Sequence, residues 1–207
     1  MVTLFLASES PARLKTLEQV GISPKTLTHN VDEEALVQAA RGARPLPPHA
    51  IVQLLARAKA EDACARHSVN GLVLGGDSMF EVDGEVFGKP HTPEKARERW
   101  LRQKGKTGTL YSGHHLVHCV DGDVVKEAGI TTSTQVAFAS DISEDEIDAY
   151  IETGEPLKVA GAFTIDAKGA PFIESIKGDP YTVVGLSVHA LRGLVKELGF
   201  SFTDLWT

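Results

Sequence analysis

The chain has 207 residues, 42% of them hydrophobic, which suffices to bury a substantial core as one domain or two closely joined lobes and excludes a disordered chain. A formal net charge of -7 argues against a polynucleotide partner, since phosphate backbones are bound by clustered Lys and Arg, whereas a small anion needs only a local pocket of cations. No apolar run approaches the roughly 20 residues that cross a bilayer, and Val2 to Ala7 is too short for a signal-peptide core, so a soluble cytoplasmic protein is expected.

Val2 to Ala7 reads as a buried strand running into Ser8-Glu9-Ser10-Pro11. Ser10 is a capping hydroxyl with proline at the first helical position, and Gly21 closes a helix of about ten residues. Such a strand, turn and helix N-terminus presents backbone N–H groups and the positive end of the helix dipole, a ready place for phosphate. Arg13 lies on the apolar face of this helix, in the first turn, where a cation opposes the dipole. A bound anion accounts for both features; the alternative is an arginine stem snorkelling to water.

Asp32, Glu33 and Glu34 form an acidic run in a loop or helix start, a pattern that usually marks a solvated face. Pro45, Pro47 and Pro48 precede a long amphipathic helix from His49 to about Arg66. Lys59 falls inside its apolar stripe and so needs a partner, a ligand or a route to solvent. Cys64 and Cys119 form no close-spaced pair for zinc or redox exchange and are expected to be small buried or half-buried side chains.

Leu72 to Leu74 ends in Gly75-Gly76, placing Asp77 where a buried strand is expected to reach the surface. Two short apolar-rich arms within Met79 to Phe87 flank Asp83-Gly84, the signal for a tight hairpin with a type I′ turn. The hairpin returns the chain so that Lys89, between Gly88 and Pro90, could end near Asp77. A carboxylate and an ammonium at the feet of one hairpin suit a metal-phosphate site; two unrelated surface charges would look the same.

Pro93 to Gln103 is predicted as a helix, followed by strands from Leu110 to Val120, from Val124 onward and from Thr131 to Ala139. His114, His115 and His118 match no strong zinc spacing and read as surface or packing residues. Ser143 to Glu146 forms a capping box for a helix through Glu152. Strands are expected at Gly161 to Ile165, Phe172 to Ile176 and Tyr181 to Leu186, then a last helix over Val188 to Leu198, closed by Gly199.

Ser8, Ser10, Arg13, Lys59, Asp77 and Lys89 lie within ordered segments: Leu6 to Arg13 with Gly21-Ile22, Val31 to Glu33, Ala56 to Ala60, Gly76 to Ser78 and Gly84 to Pro90. Tyr111 to Gly113, Tyr150 to Pro156, Ala160 to Phe163 and Val183 to Leu186 follow in order. Together they resemble the Maf family of nucleoside triphosphate pyrophosphatases nearly end to end, and the variant is most similar to the actinobacterial branch. The resemblance implies a single α/β domain over residues 1–207, an elongated mixed sheet flanked by helices, with two lobes around a nucleotide cleft as in inosine triphosphatases. It implies hydrolysis between the α and β phosphates of a nucleoside triphosphate, canonical or not, with Mg²⁺ or Mn²⁺, in a homodimer. An alternative is a nucleotide-binding regulator of septum formation with little turnover.

By position, the resemblance makes Ser8 and Arg13 triphosphate ligands, with Ser10 shaping the turn, and has Lys59 and Lys89 neutralise phosphate oxygens. It makes Glu33 a metal ligand, and Asp77 the proton acceptor for the attacking water and a second metal contact. Departures concern the base: Ala12 stands where the dTTP/UTP branch has arginine, Ser78 where it has threonine, and Asp166 where it has glutamine. Asp166 is closer to the glutamate of the 7-methyl-GTP branch, so base preference stays open. Val159 replaces the lysine usual beside the Ala-Gly pair, with Lys158 one place earlier, and Thr182 and Ser187 stand where asparagine and proline are frequent.

Overall fold

In chain order the strands are β1 (Leu4–Ala7), β2 (Lys25–Thr26), β3 (Gly71–Val82), β4 (Glu85–Phe87), β5 (Thr107–Val120), β6 (Asp123–Phe138) and β7 (Ile173–Lys177). The helices are α1 (Pro11–Gln19), α2 (Glu33–Ala40), α3 (Pro48–His67), α4 (Pro93–Gln103), α5 (Glu144–Glu152), α6 (Pro180–Val184) and α7 (Val188–Glu197). This computed structural model describes residues 2–42 and 45–207. The strands form one seven-stranded sheet in the order β2-β1-β3-β5-β6-β7, with β4 paired to β3. β1 is parallel to β2 and β3, whereas β3 with β4 and β6 with β7 are antiparallel, giving the mixed α/β sheet the sequence predicts.

The chain divides into two units. The first comprises Met1–Asp77, Ser112–Thr132 and Gly185–Thr207, and the second Ser78–Tyr111 and Ser133–Val184. Alternation along β1 and β3 sets the layers of the first. Leu4, Leu6, Leu72 and Leu74 join Leu17 of α1 and Leu191 and Leu194 of α7 in one core. Phe5, Ala7 and Val73 join Ala60, Ala63 and Cys64 of α3 in another. Strands covered on both faces read as continuous apolar runs. Cys64 and Cys119 are buried as expected and, in addition, joined by a disulfide across 55 residues, which their spacing does not signal.

The second unit is built on aromatic side chains. Trp100 of α4 meets Phe138 and Tyr150 edge-on at 5.5 and 5.6 Å, Phe80 meets Phe163 at 4.9 Å, and the Trp100 indole donates to the Ala162 carbonyl at 2.8 Å. Edge-on pairs bring the positive ring edge to the negative face. Asp83 (φ 51°) and Gly84 (φ 79°) form the expected turn between β3 and β4. α5 carries the expected capping box, with Ser143 and Glu146 bonded reciprocally.

Four expectations change. β3 does not end at Gly75 but runs on to Val82, and the strands expected from Val124 and Thr131 are the single β6. The strand expected at Gly161 to Ile165 is absent. Ala160–Ala162 is a 3₁₀ turn with Gly161 (φ 71°) and Ala162 (φ 59°) in left-handed backbone that a strand excludes. Tyr181 to Leu186, rich in strand-favouring residues, instead carries helix α6: Pro180 sits at its start and Asp179 Oδ1 accepts the Tyr181 N–H at 2.9 Å. Among the described residues no helix is long and apolar enough to cross a membrane.

Candidate active site

Ser10 has extended backbone and its hydroxyl accepts the Arg13 N–H at 3.4 Å, so the expected cap forms and starts α1 at Pro11. Ser8 Oγ accepts from the Ser10 N–H at 3.3 Å and from Arg13 Nη1 at 2.9 Å. Arg13 does not snorkel. It is 7% exposed, and its Nε donates to the Gly185 carbonyl at 2.8 Å. Burial lowers its pKa, against the opposing pull of the nearby Asp77 and Glu33 carboxylates. Ala12, half-buried on the first turn of α1, offers only a methyl group there.

β3 carries the other side of this arrangement. Consecutive residues of a strand point to opposite faces, and two glycines leave room for a neighbour on each. A Cβ at Gly75 would lie 2.0 Å from the Ala56 carbonyl oxygen of α3, and one at Gly76 would lie 2.9 Å from Arg13 Nε. Gly113 of β5 is likewise pressed against α3, its Cβ position 2.3 Å from the Val52 oxygen. α3 therefore sits on glycine at two points of the sheet, closer than side chains would permit.

That closeness delivers Lys59. It is 6% exposed and its Nζ lies 2.9 Å from Asp77 Oδ1 and 2.8 Å from Glu33 Oε1. Glu33 is the first residue of α2, whose N-cap Asp32 accepts the Ala35 N–H at 2.9 Å, and Asp62 of α3 accepts the Asn30 N–H at 2.8 Å just ahead of it. Asp77 is raised above the usual carboxylate range by burial, with Lys59 and then Arg13 pulling it back down. The first unit thus gathers Ser8, Ser10, Arg13, Glu33, Lys59 and Asp77. Two carboxylates converging on one ammonium form a hard oxygen donor set that suits Mg²⁺ or Mn²⁺.

Ser78, Lys89 and Asp166 belong to the second unit. Lys89 and Asp166 are exposed, and the turn before Lys89 is tied down by Arg99, which donates to the Gly88 carbonyl and lies over the Phe87 ring at 5.6 Å.

One cluster escapes the sequence reading. Glu61 of α3, His115 of β5 and Glu127 of β6 offer donor atoms within 4.8 Å of one another, a set compatible with a divalent metal. His115 is a buried packing residue, one of the two readings the sequence allows, and no spacing rule finds a set drawn from three elements. Arg57 now bonds both acids at 2.7 Å. His115 Nε2 faces Glu127 at 3.1 Å while Nδ1 faces the Gln53 amide nitrogen at 3.3 Å, which puts the imidazole proton on Nε2. A ligating histidine needs that proton on the other nitrogen. Metal binding there would require Arg57 to swing away and the Gln53 amide to turn over.

The chain matches the family profile described as "Maf-like protein" over residues 3–198. It is 53% identical over 207 residues to a "Nucleoside triphosphate pyrophosphatase" of Leifsonia xyli subsp. xyli, covering 98% of this chain and 96% of that one. A protein of the same name in Corynebacterium jeikeium is 48% identical over 204 residues, covering 98% of each. Among solved structures, the Staphylococcus aureus Ham1 protein aligns over 99% of this chain and 93% of its own with 12% identity and a TM-score of 0.45.

Proposed function

The chain belongs to the Maf-like protein family, and we propose that it is a nucleoside triphosphate pyrophosphatase, cleaving the α-β phosphoanhydride of its substrate to a nucleoside monophosphate and pyrophosphate. The observation that carries this reading is Lys59, buried and bonded to both Glu33 and Asp77, beside the Ser8 and Arg13 pair at a helix start. Phosphoanhydride cleavage asks for charge neutralisation, a placed water and a metal bridge rather than a covalent nucleophile.

Within this reading, Ser8 and Arg13 bind phosphate, with Ser10 holding the turn that carries them. Lys59 leaves its carboxylate partners for phosphate oxygens, and Glu33 and Asp77 are the residues that would hold Mg²⁺ or Mn²⁺. Such an ion supplies Lewis-acid polarisation of the bridged phosphates when bound. Asp77 also accepts the proton of the attacking water. Its burial favours this role, because a carboxylate raised in pKa is a stronger base than an exposed one. Lys89 is assigned to phosphate by its place in the sequence resemblance, and Ala12, Ser78 and Asp166 to base selection because they are where the sequence departs from it. The homodimer that the family resemblance implies, and the cytoplasmic location expected from the sequence, go with this reading.

The test is pyrophosphate release from a broad panel of canonical and modified triphosphates with Mg²⁺ or Mn²⁺. Turnover is expected with either ion and none after chelation by EDTA; nucleotide binding without release from any substrate would exclude the enzyme. Asp166→Gln is expected to reorder the bases while total phosphate chemistry persists, as read by kcat/KM across the panel. An unchanged order removes Asp166 from base selection.

A further inference from the structure

Glu155 stands outside the residues assigned above to phosphate. It lies just after α5, in a 3₁₀ turn over Glu155–Lys158, and its carboxylate collects four donors. Oε1 accepts from the Tyr150 hydroxyl at 2.8 Å, from Thr164 Oγ1 at 2.6 Å and from the Gly169 N–H at 3.1 Å. Oε2 accepts from the Lys168 N–H at 3.2 Å. Three of these donors belong to residues 164–169, a short loop whose exposed middle carries Asp166.

The loop is closed as well as bonded. A Cβ at Gly169 would lie 2.6 Å from the Thr164 carbonyl oxygen and 2.7 Å from the Tyr150 hydroxyl, so the two ends of the loop and the tyrosine meet with no space for a methyl group. Tyr150 is itself fixed, 3% exposed and packed edge-on against Trp100 at 5.6 Å. Burial raises its phenol, keeping it a donor. Burial alone would raise Glu155 too, but the hydrogen bonds from Thr164, Tyr150, Lys168 and Gly169 hold it below the usual carboxylate range, so it is anionic at neutral pH. A charged acceptor shared by four donors is worth more than the same bonds between neutral groups.

We propose that Glu155 is a positioning residue for base selection: it anchors the loop of residues 164–169 to the aromatic core of the second unit and thereby fixes where Asp166 presents its carboxylate. This rests on the reading of Asp166 as a base-selecting residue. The Glu155 carboxylate is engaged by four protein donors, so its loss is expected to act on which nucleotide is accepted and on KM, and to leave kcat for the preferred base largely intact. A residue serving stability alone would leave the ranking of bases unmoved.

The experiment compares wild type, Glu155→Ala, Glu155→Gln, Tyr150→Phe and Asp166→Gln on the same triphosphate panel. Glu155→Ala is expected to cut discrimination between the best and second base by roughly tenfold, through KM, because displacement of a positioning group by about an ångström costs one to two orders of magnitude. Glu155→Gln keeps an oxygen for the three donors at Oε1 and should retain most of the discrimination. Tyr150→Phe, which removes one donor and leaves the carboxylate, shifts the ranking in the same direction by a smaller factor, and decides the matter if Glu155→Ala does not fold. A ranking altered by Asp166→Gln but unmoved in both Glu155→Ala and Tyr150→Phe overturns the positioning role and spares the reading of Asp166. A ranking unmoved by Asp166→Gln overturns both.

Discussion

Replacing Asp77 by asparagine is expected to lower pyrophosphate release at least about a hundredfold, the scale of losing a proton acceptor in the transition state. The substitution keeps shape and keeps an oxygen that accepts from Lys59 Nζ, now 2.9 Å away, while Lys59 retains Glu33 at 2.8 Å. What disappears is the carboxylate assigned to take a proton from water. The fold should not suffer. A carboxyl whose folded pKa is raised by burial favours its neutral form, so at pH values above that pKa its ionisation works against folding, and the neutral amide removes that cost. The measurement is turnover alongside a thermal melt: activity falls and the midpoint is not lowered. Full activity in the variant would place proton acceptance on another residue.

Gly75→Ala carries the largest expected effect on stability, about 3 kcal/mol, at the upper end for forcing a methyl group into a packed interior. The obstacle is backbone. The Ala56 carbonyl oxygen and the Ala60 nitrogen of α3 lie 2.0 and 2.9 Å from the added carbon, and neither can rotate aside. Relief requires α3 to lift from β3, which moves Lys59 away from Asp77. Denaturant unfolding should show a lower midpoint and, at temperatures where the variant stays folded, a kcat reduced together with stability. Gly84→Ala is a control of opposite character, since nothing lies within 4 Å of that site and its cost is confined to a turn with φ 79°. A Gly75→Ala protein as stable as wild type would show that α3 can shift freely.

The parts of the fold that could be read in advance were those set by local chemistry. α1 follows from the Ser10 cap and Pro11, α4 from the charge-rich run opened by Pro93, α5 from its capping box, and the β3–β4 hairpin from Asp83-Gly84. At α6 the local signal points the wrong way: Tyr181, Thr182, Val183 and Val184 favour strands, whereas Pro180 and the Asp179 cap decide the outcome. In β3 two glycines look like an ending in the sequence; in the fold they serve close packing on both faces of a continuing strand.

For the site, misplaced charge was the useful signal. Arg13 and Lys59 stand on apolar helix faces, and both are buried beside partners rather than reaching solvent. Which partners they have was not readable, because the Lys59–Glu33 contact depends on how α2 is placed against α3, with Asp62 bonding the Asn30 backbone. Glu61, His115 and Glu127 left no trace in the sequence for the same reason: their proximity is made by three separate elements.

The bridging of Lys59 between two acids has an electrostatic consequence. With Arg13 beside it, the first unit assembles two cations and two carboxylates, so its local charge is balanced before any ligand arrives. A bare triphosphate meets as much repulsion as attraction there. A triphosphate already carrying a divalent ion brings the positive charge that the two acids can take up, which frees Lys59 for phosphate. Under the proposed function, balance of this kind is expected to favour the metal-complexed nucleotide over the free anion and to leave capture to short-range bonds, which salt screens far less than long-range attraction.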